Sequence, residues 1–149
     1  MGFTLLLSKN KFSAYSKKKE RCSFMDRVRK IINAEAAYKR GYFGENIGVA
    51  ILDTGIFPHI DFGRRMVFFK DYVGSRRGIY DDNGHGTHIA GIIGGDGMAS
   101  NGRYMGIAPR CHFIIIKILD RKGNGNTENV VQAIEWLVRR KEEYQIRIV

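Results

Sequence analysis

Asp53 follows directly on an apolar run, Ile47-Gly48-Val49-Ala50-Ile51-Leu52, and is itself followed by Thr54 and Gly55. A carboxylate at the carboxyl end of a buried strand sits where ligands and catalysis gather in open α/β sheets. Thr54 offers a hydroxyl beside it, and Gly55 permits a sharp exit from the strand. Further on, His85 stands between two glycines in Asp81-Asp82-Asn83-Gly84-His85-Gly86-Thr87-His88, so nothing bulky shields its imidazole. A histidine held against a buried carboxylate is the orienting half of a general-base pair. The carboxylate fixes the tautomer and stabilises the imidazolium that forms when the ring takes a proton.

Each of these residues also has a plain structural reading. An Asp after a strand commonly caps a turn. His88 and His112 read as hydrogen-bonded core or surface histidines, whereas glycine-flanked His85 reads as chemical. Asp-Thr-Gly also occurs in peptidases that work with two carboxylates sharing one proton, but no second such triplet is present. Zinc held by Asp53, His85 and His88 would suit the ligand types. However, no His-Glu-x-x-His helix exists and His112 opens an apolar strand, so no metal is expected.

The elements that must position these groups follow from periodicity. Asp26 to Gly41 has a helical pattern, with Val28, Ile31, Ile32, Ala36 and Tyr38 on one face and Gly41 as its stop. Ile47–Leu52 reads as a strand buried on both faces, and Met66–Val73 as a weaker one. Gly84–Gly95 reads as a turn leading into a small-residue helix that can pack close to the sheet. His112–Leu119 is the most β-branched strand. Thr127 is placed to cap a helix running to Tyr144, with Val130, Ile134, Leu137 and Val138 on one face. Gln145–Val149 begins another strand. This alternation argues for an α/β fold with a mostly parallel sheet and right-handed crossovers.

With 149 residues, 44% hydrophobic and 27% charged, the chain has ordinary globular composition, which excludes wholesale disorder. No apolar run approaches the ~18 residues of a membrane helix, so no membrane span is expected. Leu5-Leu6-Leu7 is too short for a secretory signal, and Cys22 and Cys111 form no metal or redox spacing. Cytoplasmic residence is the expectation. The net charge of +10 is concentrated: residues 1–40 hold eleven Lys or Arg against three acidic residues. Residues 1–24 therefore read as a basic, loosely structured arm, and 25–149 as one domain. Such an arm could meet nucleic acid or another anionic surface. A solvated leader is the better reading, and nucleic acid is not expected as a partner, because no RNA-binding aromatic signature accompanies the lysines.

Val-Ala-Ile-Leu-Asp-Thr-Gly-Ile, the Asp81–Gly95 block, Gly106-Ile107-Ala108-Pro109, and the segment from Ile114 through Gly123-Asn124-Gly125 to the Ala133-Ile134-Glu135-Trp136 helix occur here in one order. Together they resemble the subtilisin-like serine proteases, or subtilases, from about Ile32 to Val149. The detail is more similar to the minor, signal-less bacterial members, because Ala99–Pro109 replaces the calcium-binding loop of the secreted type. The resemblance implies a three-layer subtilisin-like fold and cleavage of extended polypeptides by acyl transfer. It implies Asp53 as the triad aspartate and His85 as the triad histidine. Asn83 would border the substrate cleft, and Gly123, Asn124 and Gly125 would form the edge on which a peptide pairs by backbone hydrogen bonds. On spacing alone, Gly123 and Gly125 read nearly as well as a plain turn. Asp61 matches a family calcium ligand, but the remaining ligand loop differs, so no cofactor is expected.

In chain order the subtilase serine follows the histidine. The serine after His85 is Ser100, in Ala99-Ser100-Asn101-Gly102, which lacks the Gly-Thr-Ser-Met-Ala setting and lies too near His85. The oxyanion asparagine is also missing. The expectation is the N-terminal part of a subtilase domain, incomplete at its C-terminal end. By itself it should be inactive and fold poorly, with a missing C-terminal half as its natural partner. The alternatives are a non-catalytic remnant that binds peptides or a half-domain partner, and a binder of anionic surfaces through the arm.

Overall fold

The computed structural model describes residues 24–149, so the basic arm, apart from Phe24, lies outside the described residues. Two short helices, α1 (Phe24–Ile31) and α2 (Ala34–Tyr38), lead into a four-stranded sheet. Its strands are β1 (Gly48–Asp53), β2 (Met66–Asp71), β3 (His112–Lys117) and β4 (Ile146–Ile148), in the order β2-β3-β1-β4 and all parallel. Helices α3 (His85–Gly94) and α4 (Thr127–Arg140) make the crossovers.

Strand alternation sorts the side chains into two cores. Val49 and Ile51 of β1, with Phe113 and Ile115 of β3, pack with Ala90 of α3 and with Ile56 and Phe62. Ala50, Ile114 and Ile116 face the other way and pack with Ala133 and Leu137 of α4 and with Ile146. A register shift between Met66 and Phe68 puts these two residues on opposite faces of β2: Met66 joins Phe69 on the first core, while Phe68 stacks on Trp136 in the second at 4.2 Å. Helices on both faces of a parallel sheet make three layers, and they explain why β1 and β3 are apolar without interruption. Phe113 and Ile114–Ile116 are wholly buried.

The N-terminal helical pattern departs from expectation. Asn33 takes a left-handed conformation, φ 54°, and splits the expected single helix in two. Asn tolerates that conformation better than most residues. The break re-aims the faces: Met25, Arg29 and Ala34 turn inward, while Ile31 and Ile32 are 79% and 53% exposed. The Arg29 guanidinium donates to the Met105 carbonyl oxygen, and Tyr38 Oη donates to the Ile107 carbonyl oxygen at 2.8 Å.

Three details of the last helix also differ. Asn126, not Thr127, caps α4, its Oδ1 accepting from Asn129 N at 2.7 Å. The helix ends at Arg140, short of Tyr144, and the chain turns back through Gln145, φ 48°, with Ile146 N donating to the Lys141 carbonyl at 2.8 Å. Of the face expected to be apolar and covered, Leu137 is buried, but Ile134 and Val138 are 46% and 69% exposed.

Candidate active site

β1 ends at Asp53, and the chain leaves it through Gly55, which bridges to Asp81. That contact brings the 81–87 turn, and with it the first residue of α3, over the end of β1. His85 Nδ1 stands 2.9 Å from both carboxylate oxygens of Asp53. Asp53 is 8% exposed, and its Oδ1 also accepts from Thr54 N at 2.7 Å. The His85 side chain is 59% exposed, so the ring edge opposite Asp53 reaches the surface. A buried carboxylate on Nδ1 favours the tautomer that keeps a proton there and leaves Nε2 free to accept one.

The turn is built around a second carboxylate that the sequence reading passed over. Asp81 accepts from the backbone N–H groups of Asn83, Gly84 and Thr87, and from the hydroxyls of Thr54 and Thr87. Burial pushes its carboxyl up, but the hydrogen bonds from Thr87, Gly84 and Asn83 outweigh that and hold it far below the usual carboxylate range. Thr54 Oγ1 in turn accepts from Gly86 N at 3.0 Å. The available signal was Asp followed by Asp-Asn-Gly, a common composition for side-chain-closed turns.

Asn83 joins the turn to the loop after β3. Its Oδ1 accepts from His85 N at 3.1 Å, and its Nδ2 donates to the Arg121 carbonyl at 3.0 Å. Gly123, Asn124 and Gly125 lie just beyond Arg121 in an exposed loop closed by Asp120. Asp120 N donates to the Asn124 carbonyl at 2.7 Å, while Asp120 Oδ1 accepts from Lys122 N and Asn124 N. The segment is therefore preformed and tied through Asn83 to the turn carrying His85.

The other candidate groups are placed elsewhere. His112 Nε2 bonds the Tyr144 carbonyl oxygen at 2.8 Å, a structural role. Exposed His88 lines a cavity of about 950 Å³ with Met25, Phe57, Phe62 and Tyr104. Ser100 Oγ donates to the Gly97 carbonyl and accepts from Tyr104 N, so it is occupied within its own turn. Among the described residues no group of three or more His, Cys, Asp or Glu side chains could hold a metal ion. Asp61 Oδ1 accepts from Ala99 N at 2.7 Å, and the Asp61 carbonyl accepts from the Arg65 guanidinium at 2.5 Å.

The Subtilase family (peptidase S8) matches residues 44–149. Serine protease AprX of Bacillus subtilis (strain 168) is 40% identical over 100 residues, covering 67% of this chain and 23% of AprX. Subtilisin Savinase of Lederbergia lenta is 35% identical over 105 residues, covering 70% of this chain and 38% of Savinase. The crystal structure of a cold adapted subtilisin-like serine proteinase superposes with TM-score 0.57 at 32% identity, over 66% of this chain and 34% of the other. The chain thus spans well under half the length of these relatives. By its matched residues and its parallel three-layer fold, it belongs to the subtilase family.

Proposed function

We propose that the chain supplies the general-base half of a serine endopeptidase site. The observation that carries this reading is the His85 Nδ1 contact of 2.9 Å to both oxygens of a buried Asp53. Asp53 orients the imidazole, and Nε2 takes the proton from a serine hydroxyl as that oxygen attacks the peptide carbonyl. The same proton then passes to the leaving amine. The serine and the oxyanion donor come from sequence outside these 149 residues. A general base contributes roughly 10²–10⁴-fold, and oxyanion stabilisation is usually the larger share. The 149 residues by themselves therefore hydrolyse no peptide.

The substrate is an extended polypeptide laid along Gly123, Asn124 and Gly125. The test joins this chain to a serine-bearing C-terminal half of a subtilase and follows hydrolysis of a chromogenic peptide. Activity that a serine-directed inhibitor blocks, and that His85→Ala removes, is the expected result. Hydrolysis by the 149 residues alone, or an unaffected His85→Ala variant, would overturn the proposal.

A second reading is peptide binding without catalysis. It is favoured by the preformed loop that Asp120 closes around Lys122 and Asn124. Its mark is binding of an extended peptide by the unaltered chain that Gly125→Pro abolishes by removing a backbone N–H.

A further inference from the structure

Lys117, the last residue of β3, is 1% exposed. A buried ammonium is costly unless its N–H groups are all used, and here each finds an oxygen. Nζ donates to the Thr54 carbonyl at 2.7 Å, the Leu119 carbonyl at 2.7 Å and Asp82 Oδ1 at 2.8 Å. The Tyr80 ring closes the fourth side, its centroid 5.2 Å away.

These partners belong to three different segments. Thr54 is the residue after Asp53. Asp82 lies in the turn that carries His85, and Leu119 opens the loop that reaches Gly123–Gly125. Packing alone does not require this arrangement, because the neighbouring positions of β3 are filled by isoleucines. Replacing a buried ion by an apolar residue of similar volume is often neutral for stability. A rigid, compact cation that draws three chain segments to one point has a geometric consequence that an apolar residue cannot reproduce.

We propose that Lys117 is a positioning residue: its ammonium sets the placement of the Asp53–His85 pair relative to the Gly123–Gly125 edge. This rests on the reading of that pair as a general base and of that edge as the peptide platform. Lys117 touches no substrate in this scheme. It acts through Thr54, Asp82 and Leu119.

The test compares the unaltered protein with Lys117→Met and Asp82→Asn by nitrogen-15 NMR, with circular dichroism as the measure of folding. The unaltered protein should show the downfield Nδ1 proton of a His85 bonded to a carboxylate. In Lys117→Met, that signal should be lost while helix and strand content is kept, and the Gly123 and Gly125 amide resonances should shift with it. Asp82→Asn keeps both carbonyl contacts and should shift the His85 signal with a smaller change at Gly125. It stands as the deciding variant if Lys117→Met does not fold. Unchanged His85 and Gly125 signals in a folded variant would overturn the proposal, leaving Lys117 merely a satisfied buried cation. A ring nitrogen-15 shift showing Nδ1 of His85 unprotonated and unbonded in the unaltered protein would instead refute the general-base reading.

Discussion

Gly86 passes so close to Gly55 that a Cβ built on it would stand 2.2 Å from the Gly55 carbonyl oxygen and 3.2 Å from Asp53 Cβ. This approach is what seats α3 on the end of β1 and brings His85 to Asp53. Gly86→Ala must therefore move backbone, and the expected cost is about 2–3 kcal/mol, the upper range for overpacking. Gly91, in the same helix, has nothing within 4 Å of its built Cβ. Gly91→Ala should stabilise by roughly 0.5–1 kcal/mol through helix propensity. Urea unfolding of the two variants checks the contrast. Equal effects in the same direction would refute the claim that close approach at Gly86 shapes the site.

Acid sensitivity should originate in the turn that holds His85. The folded-state pKa of Asp81 lies well below its ordinary value of 3.8. A depressed carboxylate stabilises the fold above the unfolded pKa, and that contribution is lost as pH falls through the folded pKa. The melting temperature should fall as acid is added below about pH 4. Asp81→Asn should flatten that slope, since the variant has no proton to bind there. A slope unchanged in Asp81→Asn would place the acid-labile contact elsewhere, with Asp71 the next group to substitute.

The alkaline limb has a different source. Burial first, and then the hydrogen bond that Tyr80 Oη donates to Asp71, push the Tyr80 phenol from 10.0 up to about 12. Asp71 and Asp82 raise it further by charge, and Arg76 opposes them. The folded state thus prefers the protonated phenol. Its contribution is complete below pH 10 and fades as pH rises toward about 12. Phenolate absorbance should show Tyr80 titrating last and together with unfolding, after Tyr38, whose phenol burial also raises but by less. Tyr80→Phe should remove that late step and lessen the alkaline loss of stability. Persistence of the late step in Tyr80→Phe would assign it to another tyrosine.

The parts legible in the sequence were those written in repeated local signals. The β1 and β3 runs have a continuous apolar pattern, and the glycines around His85 announce a tight, close-packed turn. Asp53 and His85 were readable because a strand end and a glycine-flanked histidine both imply where a side chain can point. What stayed hidden depends on contacts distant in sequence. Asp81 looks like one acidic residue among several until Thr54 and Thr87 donate to it. Lys117 looks like the end of an apolar strand, although a lone lysine inside His112–Leu119 was itself a signal. The break at Asn33 needed knowledge of what α1 packs against, since the pattern from Asp26 to Gly41 is helical on either side of it.

The face left open by α4 and β4 should decide how the 149 residues behave in solution. β4 is an edge strand, paired on one side with β1. Its last residue Ile148, the following Val149 and the neighbouring Val138 of α4 are exposed by 55%, 73% and 69%. A free strand edge next to apolar side chains is a template for association with another chain. Sedimentation velocity should therefore show concentration-dependent self-association of the 149-residue chain. Lysine at an edge strand blocks such pairing, and lysine on an exposed helix face is a good helix former. Val138→Lys and Ile148→Lys together should shift the chain toward monomer. Because both side chains are exposed, each substitution should change stability by no more than about 0.5 kcal/mol. Association that persists unchanged in the double variant would show that this face is not the sticky one, and a lowered melting temperature would show that these side chains already have partners within the fold.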